Sequence, residues 1–161
     1  MGKIYTSIGE LMLEFLTELP ATKKFRSKTV CNNTVVKAIP ATEGTRYPNE
    51  AVCELHGHRI AKLYNWKGKL YIEISLCGFN THTTRNRLDG VLLGLDARIS
   101  VYQKNIPCIS TDALGKPMQI NSHDTYAFEL RTGKPVETLF HRVHRLNIAE
   151  HKRKEKSSQQ A

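Results

Sequence analysis

No stretch of about 18 apolar residues occurs in the 161-residue chain, which excludes a membrane-spanning helix. The opening Met1-Gly2-Lys3-Ile4 lacks the apolar core and cleavage site of a secretory leader. Gly2 with Thr6 meets only the minimal myristoylation pattern, and one acyl chain anchors marginally. The four cysteines, Cys31, Cys53, Cys77 and Cys108, form no Cys-x-x-Cys pair, so zinc-ribbon and dithiol redox signatures are missing. Each sits in an apolar or strand-like stretch and reads as a free thiol in a reducing compartment. No G-x-S-x-G, P-loop or G-x-G-x-x-G occurs, and no nucleophile has an activating partner in sequence. The chain therefore reads as a non-enzyme without a cofactor. Acid is the last shortage: 15 Asp and Glu face 24 Lys and Arg.

That imbalance leaves a net charge of +9. A basic protein concentrates polyanions at its surface, and nucleic acid is the first polyanion to consider. At 40% hydrophobic and 24% charged residues the composition is globular, and the length suits one domain with appendages.

The patterning predicts an α+β fold. It comprises a small, mostly antiparallel sheet or barrel, one inserted helix and two flanking terminal helices. Residues 1–20 read as an amphipathic helix, with Ile8, Leu11, Met12, Phe15 and Leu16 on one face. Ser7 and Glu10 offer a capping box, and Pro20 a stop. Its acids Glu10, Glu14 and Glu18 should keep it off DNA and against the body of the protein or a second copy. Residues 21–29 read as a basic arm. The α+β core follows over 30–135, with strands at 34–39, 51–55, 59–64, 70–76, 99–103, 106–109 and 126–130. Asn65-Trp66-Lys67-Gly68-Lys69 makes a hairpin turn. The period changes over 81–95, where Leu88, Val91, Leu92 and Leu95 share a helical face, Thr81 or Thr83 can cap it, and Gly90 and Gly94 weaken it. Residues 136–161 read as a basic helix and tail that outrun their apolar face.

The histidines offer little chemistry. His56-Gly57-His58 could give two metal ligands of a divalent-metal nuclease, but no Cys or acid joins them at a recognised spacing, and exposed strand histidines are the plainer reading. His141 and His144 are interleaved with Arg142 and Arg145, which disfavours a cation there. No metal site is expected.

The cations are more coherent, and four groups are candidates for nucleic-acid contact. Lys23, Lys24, Arg26 and Lys28 form the arm. Arg59, Lys62, Lys67 and Lys69 surround the hairpin, beside Tyr64, Trp66 and Tyr71. Arg85 and Arg87 lie near the start of the middle helix, whose Thr81, Thr83 and Thr84 either cap it or present its N–H groups to an anion. Arg142, Arg145, Lys152, Arg153, Lys154 and Lys156 form the tail. Lys and Arg suit phosphate contact, and Trp66 suits either base stacking or the core. Nothing resembles a recognition helix, so backbone contact with little sequence preference is expected.

Three segments share a further pattern: Asn33-Thr34-x-Val36, Leu55-His56-Gly57-x-x-Ile60-Ala61, and Ser75-x-Cys77-Gly78-x-x-Thr81-x-Thr83-Thr84-Arg85-x-Arg87-Leu88. It resembles a pattern recurring in small phage proteins. Together with size, basicity and the acidic leading helix, the chain resembles the MotB-like early modifier-of-transcription proteins of T-even phages. The resemblance implies a DNA-binding, nucleoid-associated protein of the host cytoplasm that modulates transcription, with host nucleoid proteins or transcription machinery as further partners. It also implies a Tudor-like barrel with a KOW-type element, for which Gly57 and Gly68 are the available glycines. An RNA-binding regulator and an inhibitor gripping an acidic host protein are the rival readings.

Overall fold

A computed structural model describes residues 3–160, with side chains through residue 155. It is an α+β protein built on an open antiparallel sheet. Helix α1 (Ser7–Thr22) leads into strands β1 (Arg26–Cys31), β2 (Thr34–Ile39), β3 (Glu50–Leu55), β4 (His58–Trp66) and β5 (Lys69–Ser75). Helix α2 (His82–Gly94) follows, then β6 (Ile99–Lys104), β7 (Ile106–Thr111), β8 (Met118–Gln119), β9 (Thr125–Glu129), β10 (Pro135–Val136) and helix α3 (Leu139–Gln160). The large sheet has the order β1-β2-β3-β4-β5-β9-β10, and β6-β7-β8 form a small second sheet.

Alternation sets the two faces of the large sheet. Val36, Ala38, Ala51, Cys53, Leu63, Ile72, Ile74 and Phe128 point inward, where α1 and α2 cover them. Helix α1 contributes Ile8, Met12, Phe15, Leu16 and Leu19, α2 contributes Leu88, Val91 and Leu92, and the small sheet adds Ile99, Val101 and Ile109. The interior that a barrel would close around is thus filled by helices. Among the described residues β1 and β10 pair on one side only and form the sheet's edges, so the barrel expectation is corrected to an open sheet.

The two helices cross at backbone contact. A Cβ on Gly94 would lie 2.0 Å from the Thr6 carbonyl oxygen and 2.9 Å from Gly9 Cα, and one on Gly9 would lie 2.2 Å from the Val91 oxygen. The glycines that weaken α2 in isolation are what let it touch α1.

The basic arm is corrected in its second half. Arg26 to Cys31 pair with β2 as an exposed edge strand, with Lys28 opposite Val36. Pro20 lies inside α1, which closes two residues later where Lys23 takes φ 53° and its N–H donates to the Leu19 carbonyl (2.8 Å). The Ser7 capping box does not form: Thr6 precedes the helix in helical conformation, without a side-chain cap. The Lys67-Gly68 turn takes φ 52° and 86°, as a two-residue hairpin requires. His56-Gly57 make the same turn between β3 and β4, so His56 is a turn residue, not a strand residue.

Candidate nucleic-acid interface

The outer face of the large sheet decides which cations are free. Glu50, Glu54 and Glu73 point outward there yet are buried. A buried carboxylate must be paired. Lys37 reaches Glu54 at 2.8 Å and Arg59 reaches it at 3.3 Å; Lys62 lies 3.8 Å from Glu50. Burial raises the pKa of Glu50, and Lys62 and Arg59 oppose that shift. The Tyr64 hydroxyl donates to Glu73 (2.8 Å), as does the Leu139 N–H at the start of α3. Burial, then the Glu73 charge, push the Tyr64 phenol up. Arg59 and Lys62 therefore neutralise sheet carboxylates.

Helix α3 covers one end of this face. Leu139 and Val143 pack on Tyr64 and Tyr71, with Tyr47, Trp66 and Val136 against the same cluster. Arg142 is buried and its guanidinium stacks 4.2 Å above the Tyr71 ring, so it too is structural. Arg46 ties the middle of α3 to the loop before β3 through Asn147 (3.0 Å) and Glu150.

Beside this cluster lies an open cleft of about 450 Å³, lined by Trp66, Lys67, Lys69, Tyr71, Val136, Glu137, Arg142 and Arg145. It joins the hairpin and tail groups, which are far apart in sequence. Lys67, Lys69 and Arg145 are exposed; Trp66 is half-buried, packed on the cluster with its remaining surface toward the cleft. Arg145 pairs at 2.8 Å with Glu137, a carboxylate of the same lining. Lys152 follows Arg145 by seven residues and falls on the same flank of α3. Arg153 and Lys154 are exposed further along, with Lys154 3.6 Å from Glu150; the side chain of Lys156 lies outside the described ones.

The other two groups lie elsewhere. Arg26 pairs with Glu18 of α1 and stacks 4.5 Å above Phe15, while Lys24 and Lys28 are exposed along the β1 edge. Lys23 caps α1. Arg85 donates to the Asn80 side chain. Arg87 donates to Thr34 (2.9 Å) and Asn86 (2.7 Å) and stacks 4.8 Å above Tyr5. Both are half-buried. The expected helix from residue 136 begins only at Leu139: Val136 lies in β10, and Val136 and Glu137 enter the cleft through α3 docking against the hairpin, which the sequence did not show. Among the described residues, no group of three or more His, Cys, Asp or Glu could hold a metal ion. All four cysteines are free thiols.

Fold and site together define an α+β protein with an open antiparallel sheet and a basic, aromatic-edged cleft. A family model described as Kyanoviridae Gp96 protein matches residues 15–136, most of the chain, and the protein belongs to that phage family. No curated protein and no solved structure matches it.

Proposed function

We propose that the protein binds DNA without catalysis and with little sequence preference, and that during phage infection it acts on transcription from the host nucleoid. The carrying observation is the cleft, where Lys67, Lys69 and Arg145 meet beside Trp66 and the cationic flank of α3 continues to Lys152. A helix of 22 residues extends about 33 Å, close to one turn of duplex, so its flank can follow a phosphate backbone. The half-burial of Trp66 leaves only part of its ring for stacking, which favours duplex backbone over splayed single strands. The test is a gel-shift titration of the full chain on duplex DNA, single-stranded DNA and RNA at two salt concentrations. Tighter, strongly salt-dependent binding to duplex of any sequence supports the reading. A clear preference for single-stranded RNA would replace it with the RNA-regulator reading. Absence of binding at low salt would end both.

A further inference from the structure

A second cleft, of about 480 Å³, lies at the other end of β4, across from the cationic one. His58 and Trp66 begin and end that nine-residue strand, roughly 26 Å apart at about 3.3 Å per step. The floor is the outer surface of Leu55, Ile60 and Leu76, which are otherwise buried. One wall is His58 against Phe79, with ring centroids 4.9 Å apart and Phe79 49% exposed. Among the described residues, no Asp or Glu lines it.

Its polar rim is held in place from behind. The Arg87 guanidinium donates to Thr34 Oγ1 (2.9 Å), and Thr34, fully buried, donates to Asn33 Oδ1 (3.0 Å). This fixes the Asn33 carboxamide so that its NH₂ lies 3.5 Å from His56 Nε2. A buried hydroxyl and a half-buried arginine thus orient an amide at the mouth of an apolar cleft. Asn33, Thr34, His56, Ile60, Cys77 and Thr81 come from the three segments of the sequence pattern that the cationic cleft does not use. Here they meet.

We propose that this cleft takes a single nucleobase. A planar heteroaromatic ring fits an apolar slot with an aromatic wall, because every base has a π-face to offer Phe79 and His58. A carboxamide of fixed orientation supplies a donor and an acceptor for the polar edge of a base. The site stands apart from the DNA-binding reading, since its recognition elements are uncharged and lie on other residues.

The experiment uses the ¹⁵N-labelled full chain, followed by amide shifts. The probes are the four nucleosides, their 5′-monophosphates, inorganic phosphate and a short single-stranded oligonucleotide. Nucleosides should shift the Gly57, Gly78 and Thr83 amides saturably and independently of salt, leaving Gly68 of the cationic cleft unmoved. Phe79→Ala and His58→Ala, both at exposed positions, should weaken binding roughly tenfold each, the order expected for removing one stacking ring. Monophosphate and oligonucleotide arms separate a free nucleotide from a base within a strand, and binding of either at these amides supports the site. Shifts produced equally by phosphate alone would overturn it. So would unmoved Gly57, Gly78 and Thr83 amides in the wild-type chain at millimolar nucleoside, whatever the variants do and whether or not duplex DNA binds.

Discussion

Replacing Lys67, Lys69 and Arg145 together by Ala tests the cationic cleft where its geometry is most specific. All three are exposed, and the Arg145–Glu137 pair is a surface pair of the kind worth about 0–1 kcal/mol, so the fold should tolerate the change. Each phosphate left without its cation should lower the slope of log affinity against log salt by about 0.9, giving about 2.7 for the three. Extrapolated from about 1 M to about 0.1 M salt, that weakens binding roughly 500-fold on every duplex sequence alike. Glu137→Gln, which removes the carboxylate facing the same phosphates, should act in the opposite direction. The matched control is Arg59 with Lys62, whose charges are taken up by Glu54 and Glu50. Their replacement should lower the melting temperature, because it leaves buried Glu50 without its cation and Glu54 with Lys37 alone, yet leave the salt slope where it was. Binding measured by fluorescence anisotropy across a salt series decides the matter. If the cleft triple variant keeps the wild-type slope while the Arg59/Lys62 variant loses it, the phosphate-binding face is the sheet and the reasoning fails.

Packing and titration give three further expectations. Gly94→Ala should lower the melting temperature by the equivalent of about 1–3 kcal/mol, despite the gain in helix propensity, because its Cβ would sit 2.0 Å from the Thr6 oxygen; Gly115→Ala, with nothing within 4 Å, should be near neutral in the same thermal scan. Glu50→Gln should gain stability relative to wild type on going from about pH 4 to about pH 7. An acid with a raised folded-state pKa contributes stability that is lost as the pH climbs from its ordinary 4.5 through the folded value; equal differences in denaturant midpoint at both pH values would contradict this. In native protein at mildly alkaline pH, a thiol reagent should modify half-exposed Cys31 and Cys77 well before Cys53, whose thiol burial pushes up to about 12; mass spectrometry of the first adducts checks the order.

Much of the fold was legible because Leu70, Ile72 and Ile74 of β5 alternate with Tyr71 and Glu73, because other strands stand out as short apolar runs between turns, and because the helices show apolar faces. β1 was not, since Arg-Ser-Lys-Thr carries no alternation. An exposed edge strand has no buried face to write into the sequence, and charge there guards against pairing with another chain. β8 and β10, at two residues each, are too short to leave a period. The candidate site was legible as residue types but not as groups. Arg59, Lys62, Arg87 and Arg142 look like Lys67 in a sequence. Only the folded arrangement reveals that Glu54, Glu50, Thr34 and Tyr71 already occupy them. The three-segment pattern pointed to residues that do converge, though at the uncharged cleft.

The Glu73 carboxylate receives the hydroxyl of Tyr64 and the first N–H of α3, joining parts of the chain 66 positions apart. The hairpin supplies one side of the cationic cleft, and β10, Glu137 and that helix supply the other, so the complete site exists only in molecules whose helix is docked. Observed affinity is then the intrinsic affinity scaled by the docked fraction. Glu73, which is buried and does not line the cleft, thereby sets how much of the population is competent to bind. By the same linkage, DNA bound there as proposed would hold the helix down.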